Sequence, residues 1–275
     1  MKRFNVTGLC VKDKHYMVDI SKKIEEIMKL VDGGFYFTIN RARQYGKTTT
    51  LSVLRRQLHG TDFFCIPLSF EGVGDDMFQD SATFCQMFLL IISKAVERID
   101  KDFAAMWQDG NVTNFALLGF HLDKLCEGRK IVLYIDEVDR TSRNSVFLGF
   151  LSMLRSLYLA RDDGLTNTFH SVILAGVHDV KNIKLKLIKE GMAELREDER
   201  QYNSPWNIAA NFDMDMSFNP YEISTMLDDY EKDWHTGMDV DVVAQEIFDV
   251  RKNRSKEFKA KWVDVDGRRV FEVIL

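Results

Sequence analysis

Two short stretches of this chain hold residue types and spacings that can do chemistry. The first is Asn40-Arg41-Ala42-Arg43-Gln44-Tyr45-Gly46-Lys47-Thr48-Thr49. It follows the apolar run Phe35-Tyr36-Phe37-Thr38-Ile39 and leads into a stretch with Leu51, Leu54 and Leu58 at helical spacing. A buried strand, a tight turn and a helix N-terminus gather backbone N–H groups around an anion, and the helix dipole favours negative charge there. Against the phosphate-loop pattern G-x-x-x-x-G-K-[ST], Gly46, Lys47 and Thr48 match, while Arg41 stands where the first glycine is expected. Gly46 lets the backbone approach a phosphate, Lys47 aims a cation at β- and γ-phosphates, and the Thr48 hydroxyl is within reach of a Mg²⁺ on them. Residues 41–49 are therefore candidates for contact with a nucleoside triphosphate. The competing reading is an ordinary strand–turn–helix with a chance Gly-Lys-Thr, and the flanking strand and helix weigh against it.

The second stretch is Asp136-Glu137-Val138-Asp139, which follows the wholly apolar run Ile131-Val132-Leu133-Tyr134-Ile135 and lies 89 residues after Lys47. Carboxylates directly after a buried strand are costly unless they face a cation or solvent at the sheet's carboxyl edge. That position suits Asp136 to hold Mg²⁺ through water and Glu137 to orient and deprotonate an attacking water. A solvated strand end explains either acid alone, but not the pair in this order after a phosphate loop.

Short β-branched or aromatic runs alternate with longer stretches of helical period, the pattern of an α/β protein with a mostly parallel sheet. A helix is expected over 20–31, ending at Gly33-Gly34, and further helices near 47–58, 81–99, 113–126 and 145–159. Strands are expected over 35–39, 63–70, 131–135 and 170–177, with a fifth inside 209–218. Residues 251–275 differ from the rest: they carry eight Lys and Arg against four Asp and Glu, a net of +4, leaving −9 on the preceding residues. Asp266-Gly267 between Val263-x-Val265 and Val270-Phe271-x-Val273 is a hairpin signal.

Composition narrows the function classes. With 275 residues, 45% of them hydrophobic, and only 16 Gly and 3 Pro, the chain buries a large core and is not a disordered or collagen-like sequence. Its net charge of −5 argues against a nucleic-acid-binding face. The longest apolar run, Met87-Phe88-Leu89-Leu90-Ile91-Ile92, is far short of a membrane span, and the first residues lack the apolar stretch of a secretion signal. Four scattered cysteines without a C-x-x-C pair suit a reducing cytoplasm, and the six histidines show no metal-ligand spacing with them. No G-x-S-x-G occurs.

Four motifs agree in order with one family. These are the phosphate loop through Leu51, then Tyr134-Ile135-Asp136-Glu137-Val138-Asp139, then Ser171-Val172-Ile173-Leu174-Ala175-Gly176-Val177-His178-Asp179-Val180, then Ser204-Pro205-Trp206-Asn207-Ile208-Ala209. Over about residues 10–235 the chain resembles the bacterial AAA-ATPase-like proteins, in the additional-strand, catalytic-glutamate class of P-loop NTPases near the STAND and AAA+ ATPases. Arg41 in place of the first loop glycine is similar to what that group shows. The resemblance implies a three-layer αβα fold with a mostly parallel five-stranded sheet ordered 2-3-4-1-5, the fourth strand lying between the phosphate-loop strand and the acidic strand. It implies a core over 1–218, with residues 1–34 near the adenine, a partial helical lid over 219–250 and a basic tail over 251–275. Members run on through a fuller lid that this sequence lacks after about Asp249, as in a C-terminally truncated member.

The same resemblance implies an Mg²⁺-dependent ATPase, cytoplasmic, whose turnover drives a conformational switch acting on a protein partner or on further copies of itself. The alternative is a nucleotide-binding switch that turns over negligibly because its lid is incomplete. Glu137, Lys47 and Asp136 would be catalytic, and Thr48 and Asp136 would hold the metal. His178 or Asp179 would touch the γ-phosphate or the attacking water, or merely cap the next helix. Arg41 and Arg43 would line the phosphates, unless Arg41 pairs with a local acid. Arg140 and Arg143 are either an arginine finger or a solvated face. The segment His15-Tyr16-Met17-Val18-Asp19 falls where related ATPases hold adenine, although core packing explains its aromatic and Met side chains equally well.

Overall fold

A computed structural model of the chain describes residues 2–5, 9–40, 47–70, 72–138, 145–176, 217–252, 259–265 and 268–274. The chain divides into two compact units, residues 22–214 and residues 1–21 with 215–275.

The larger unit is built on a parallel sheet. Its strands are β1 (Tyr36–Asn40), β2 (Phe63–Ser69), β3 (Lys130–Asp136) and β4 (Ser171–Gly176), in the spatial order β1-β4-β3-β2. All three pairings are parallel. This is the expected order 2-3-4-1 for the four described strands. The fifth strand expected within 209–218 falls on residues 209–216, which lie outside the described residues. α1 (Ser21–Asp32), which begins at the boundary of the two units, precedes β1, and between the strands run α2 (Lys47–Leu58), α3 (Ser81–Glu97), α4 (Lys101–Met106), α5 (Phe115–Cys126) and α6 (Ser145–Asp162).

Both faces of the sheet are covered. One alternate set of strand residues (Tyr36, Ile66, Leu68, Ile131, Leu133, Ile135, Val172, Leu174) joins a core with Phe84, Phe88, Trp107, Phe147 and Phe150 from the helices. The other set (Phe37, Ile39, Val132, Tyr134, Ile173, Ala175) is equally buried, as are Ile24, Ile27 and Val31 of α1 and Leu51, Leu54 and Leu58 of α2. Strands buried on both faces read as continuous apolar runs, which is why the sequence shows them so clearly. Pro67 sits in β2, the last strand of the described order, where a missing N–H costs no ladder bond.

Caps set the helix boundaries. Asp80 accepts the N–H groups of Ala82 and Thr83 at the start of α3, and these bonds hold its carboxyl below the usual range. Asn114 accepts the Leu117 N–H, so α5 starts after it rather than at Thr113. α4, a single short turn capped by Asp100, has no counterpart in the sequence reading, because six residues are too few to show a period.

The amino edge of the sheet is locked by side chains. From the end of α6, Arg161 Nη1 donates to the carbonyls of Phe169 (3.0 Å) and His170 (2.7 Å), and Nη2 to that of Gly34 (2.9 Å). Its guanidinium also lies over the rings of Tyr158 and Tyr36. Tyr36 Oη donates to the Phe169 carbonyl and Ser171 Oγ to that of Phe35. Gly34 has φ +69, and a Cβ there would come within 3.3 Å of the His170 carbonyl, so only glycine suits this turn. His170 Nε2 lies 2.8 Å from the Val31 carbonyl, and burial pushes its pKa down, so the ring stays neutral and donates.

In the smaller unit, α7 (Pro220–Trp234) starts with a capping box between Asn219 and Glu222 and ends at His235 in the left-handed conformation. It packs on α8 (Val240–Lys252) through Ile223, Leu227 and Ala244. Lys2, Phe4, Tyr16 and Asp19 contact α7. Tyr16 Oη donates to Asp233 (2.8 Å) and accepts from the Trp234 indole (3.0 Å), and the Asp19 N–H donates to Thr225 Oγ1 (2.9 Å). Lys2 pairs with Asp229, and the rings of Phe4, Tyr16 and Tyr230 meet at 5.1–5.3 Å. Strands β5 (Lys259–Val265) and β6 (Arg268–Ile274) pair antiparallel, bracketing the residues at which the sequence predicts a turn.

The three carbonyls served by Arg161 come from two loops, and no lysine can reach all of them as a planar fork does. Arg161→Ala is expected to lower stability by about 2–4 kcal/mol, from lost charged hydrogen bonds and stranded carbonyls. Arg161→Lys should recover less than half of that, as read from urea unfolding midpoints.

Candidate functional site

Because all four strands are parallel, their carboxyl ends share one edge, opposite the edge that Arg161 closes. In register, Asn40 pairs with Gly176, Ile135 with Leu174 and Ser69 with Asp136. Asp136, one residue past Ile135, therefore ends level with the last residues of β1, with only β4 between them. Six residues separate the end of β1 from Lys47, the first residue of α2. Lys47, Thr48 and Thr49 make up the first turn of that helix, where backbone N–H groups have no intrahelical partner. The sheet order thus brings the start of α2 and the end of β3 to one edge, as strand–loop–helix phosphate sites require.

Asp136 and Glu137 are both half-buried, and the next residue, Val138, is fully buried. The Phe70 N–H donates to the Asp136 carbonyl (3.3 Å), which ties the end of β3 to β2. Glu137 has φ 59, the left-handed region that side chains with a Cβ avoid. Among the described residues, His235 is the other non-glycine with positive φ, and it serves as the terminus of α7. Glu137 ends a strand and has no such role. Its N–H donates to Oδ1 of Asp136 at 2.9 Å.

The remaining expected site residues, Arg41, Ala42, Arg43, Gln44, Tyr45, Gly46 and His178, lie outside the described residues, as do Asp179, Arg140 and Arg143. His15 to Asp19 belong to the smaller unit, where Tyr16 is 3% exposed and packed between Phe4 and Tyr230. Ser69, paired with Asp136 at the same edge, had no role in the sequence reading. A hydroxyl residue closing an otherwise apolar strand was the available signal.

Mg²⁺ prefers oxygen ligands, usually one or two carboxylates together with substrate phosphates, rather than a cage of protein groups. Asp136, half-buried at this edge, is one such carboxylate, and among the described residues no group of three or more His, Cys, Asp or Glu comes together to hold an ion. No helix of the described residues is long and apolar enough to cross a membrane.

The model of the AAA-like domain family matches residues 10–247. The fold is similar to that of the Walker-type ATPase PABY2304 of Pyrococcus abyssi, with a TM-score of 0.56 and 12% identity over 89% of this chain. The match takes in 66% of that protein, so the chain spans just under two thirds of its length. At that identity the likeness speaks for the fold. No curated protein matches the sequence.

The left-handed backbone at Glu137 has a measurable cost. Glu137→Gly is expected to be more stable than Glu137→Ala by about 1 kcal/mol, because only glycine adopts φ 59 without a steric penalty. Urea unfolding of the two variants checks this; at an ordinary strand end alanine would be the more stable.

Proposed function

The chain belongs to the AAA-like domain family, and on that premise we propose that it binds ATP with Mg²⁺ at the carboxyl edge of its parallel sheet and hydrolyses it. The observation that carries this reading is the placement of β4 between β1 and β3, which brings Asp136 and Glu137 to the edge where α2 begins. In this reading residues 41–49 wrap the phosphates, with backbone N–H groups and the dipole of α2 favouring the anion. Lys47 supplies the cation for the β- and γ-phosphates, and Thr48 and Asp136 hold the metal. Bound Mg²⁺ would neutralise charge on the phosphate oxygens as the terminal bond breaks. Glu137 orients the attacking water and accepts its proton, a carboxylate being the base within reach at this edge. His178, two residues after β4 in sequence, contacts the γ-phosphate or that water.

Turnover in this reading drives a conformational change that is passed to a protein partner or another copy of the chain. A cytoplasmic setting accords with four thiols, Cys10, Cys65, Cys85 and Cys126, none of them in a disulfide. Burial pushes the Cys65 and Cys126 thiols up to about 12, which keeps both unreactive.

Removing the loop cation by Lys47→Ala should weaken ATP binding at least tenfold, measured by calorimetry with Mg²⁺ present. Unchanged affinity would sink the phosphate-loop assignment. Glu137→Gln keeps shape but cannot accept the proton; phosphate release should fall by roughly 10²–10⁴ while ATP binding persists. Equal rates in variant and parent would remove Glu137 as the base. A parent that binds ATP without releasing phosphate would leave a nucleotide-binding switch in place of an ATPase.

A further inference from the structure

We propose that Asp136 is also the positioning residue for Glu137, holding the glutamate backbone in its left-handed conformation through the bond from the Glu137 N–H to its own carboxylate. This rests on the reading of Glu137 as the base. The geometry has three parts. The Asp136 carbonyl accepts the Phe70 N–H, so the end of β3 is anchored to β2. The next N–H along the chain, that of Glu137, lies past the last paired residue of β3 and turns back to Asp136 Oδ1 at 2.9 Å. The backbone immediately past these bonds is left-handed at φ 59, and the next residue, Val138, is fully buried.

A left-handed conformation in a residue with a Cβ persists only where its surroundings over-determine it. Here the acceptor is a single side-chain oxygen. Without it, a half-buried N–H loses its partner, and the backbone gains by relaxing toward negative φ. A change of that kind redirects the Cα–Cβ bond of Glu137, and a misplacement of about 1 Å in a catalytic group costs on the order of 10² in rate. Asp136 therefore has two separable properties: a charge, which suits it to a metal, and an acceptor oxygen, which positions Glu137. Asn keeps the second and loses the first; Ala loses both.

The test uses the full chain with Asp136→Asn and Asp136→Ala. Amide exchange at Glu137, followed by NMR without nucleotide, should be slow in the parent and in Asp136→Asn, and at least tenfold faster in Asp136→Ala. Exchange at Ile173 and Leu174 of β4 should stay as in the parent, which separates local release from unfolding. Should Asp136→Ala unfold, Asp136→Leu, similar in shape and also without an acceptor, takes its place. With ATP and saturating Mg²⁺, Asp136→Asn should retain at least ten times the kcat of the acceptor-less variant, while both need more Mg²⁺ than the parent. Equal exchange at Glu137 in all three proteins, or equal kcat in the two variants, overturns the proposal. If the parent does not hydrolyse ATP, the proposed function fails on its own account, and the exchange measurement alone decides whether Asp136 holds the Glu137 backbone.

Discussion

Burial of both faces is the constraint from which the larger unit follows. Once the alternate residues of β1, β3 and β4 all point into apolar layers, polar groups can reach solvent or a ligand only at the two edges of the sheet. The amino edge is taken up by structure: the Arg161 fork, the Tyr36 and Ser171 hydroxyls and the neutral His170 ring satisfy the carbonyls that enter β1 and β4. The carboxyl edge carries Ser69, Asp136 and Glu137, together with the first turn of α2. One end of the sheet is closed by internal bonds, and the other carries two acids and a helix terminus.

The two edges also differ in rigidity of design. At the amino edge one planar guanidinium serves three carbonyls and stacks on two rings, so its geometry is over-determined. At the carboxyl edge the Glu137 backbone sits in a costly region, held by one short bond to its neighbour. Strain of this kind gathers where position matters more than stability, and stabilising a fold at such a point tends to cost activity.

How far the chain can be read without coordinates depends on whether a feature is local. The runs at 35–39, 63–70, 131–135 and 170–177 announced their strands because packing within the sheet leaves them mostly apolar, with Thr38, Ser69 and Ser171 among the few polar exceptions. Their order was legible through the motifs at their ends, and the Asp136-Glu137 pair was visible for the same reason. α4 was not, since a six-residue helix held by Asp100 leaves no periodic trace. Nor was the left-handed turn at Glu137, where a glycine would have signalled it and a glutamate cannot. The partnership of Tyr16 with Asp233 and Trp234 had no signal either: each residue reads alone as an ordinary aromatic or surface acid, and only folding brings them together.

That partnership has a consequence for how the chain is made. Lys2 meets Asp229 across 227 residues and Tyr16 meets Trp234 across 218, so the segment around Phe4 and Tyr16 finds its place only once α7 has been made. β1 waits in the same way for β4, whose first residue, Ser171, bonds to the Phe35 carbonyl across 136 residues. Until those partners are made, β1 and the aromatics Phe4 and Tyr16 stay unpaired, and pairings so distant in sequence slow folding and leave apolar surface open to aggregation. Loss of α7 would therefore also leave Phe4 and Tyr16 without their shelter.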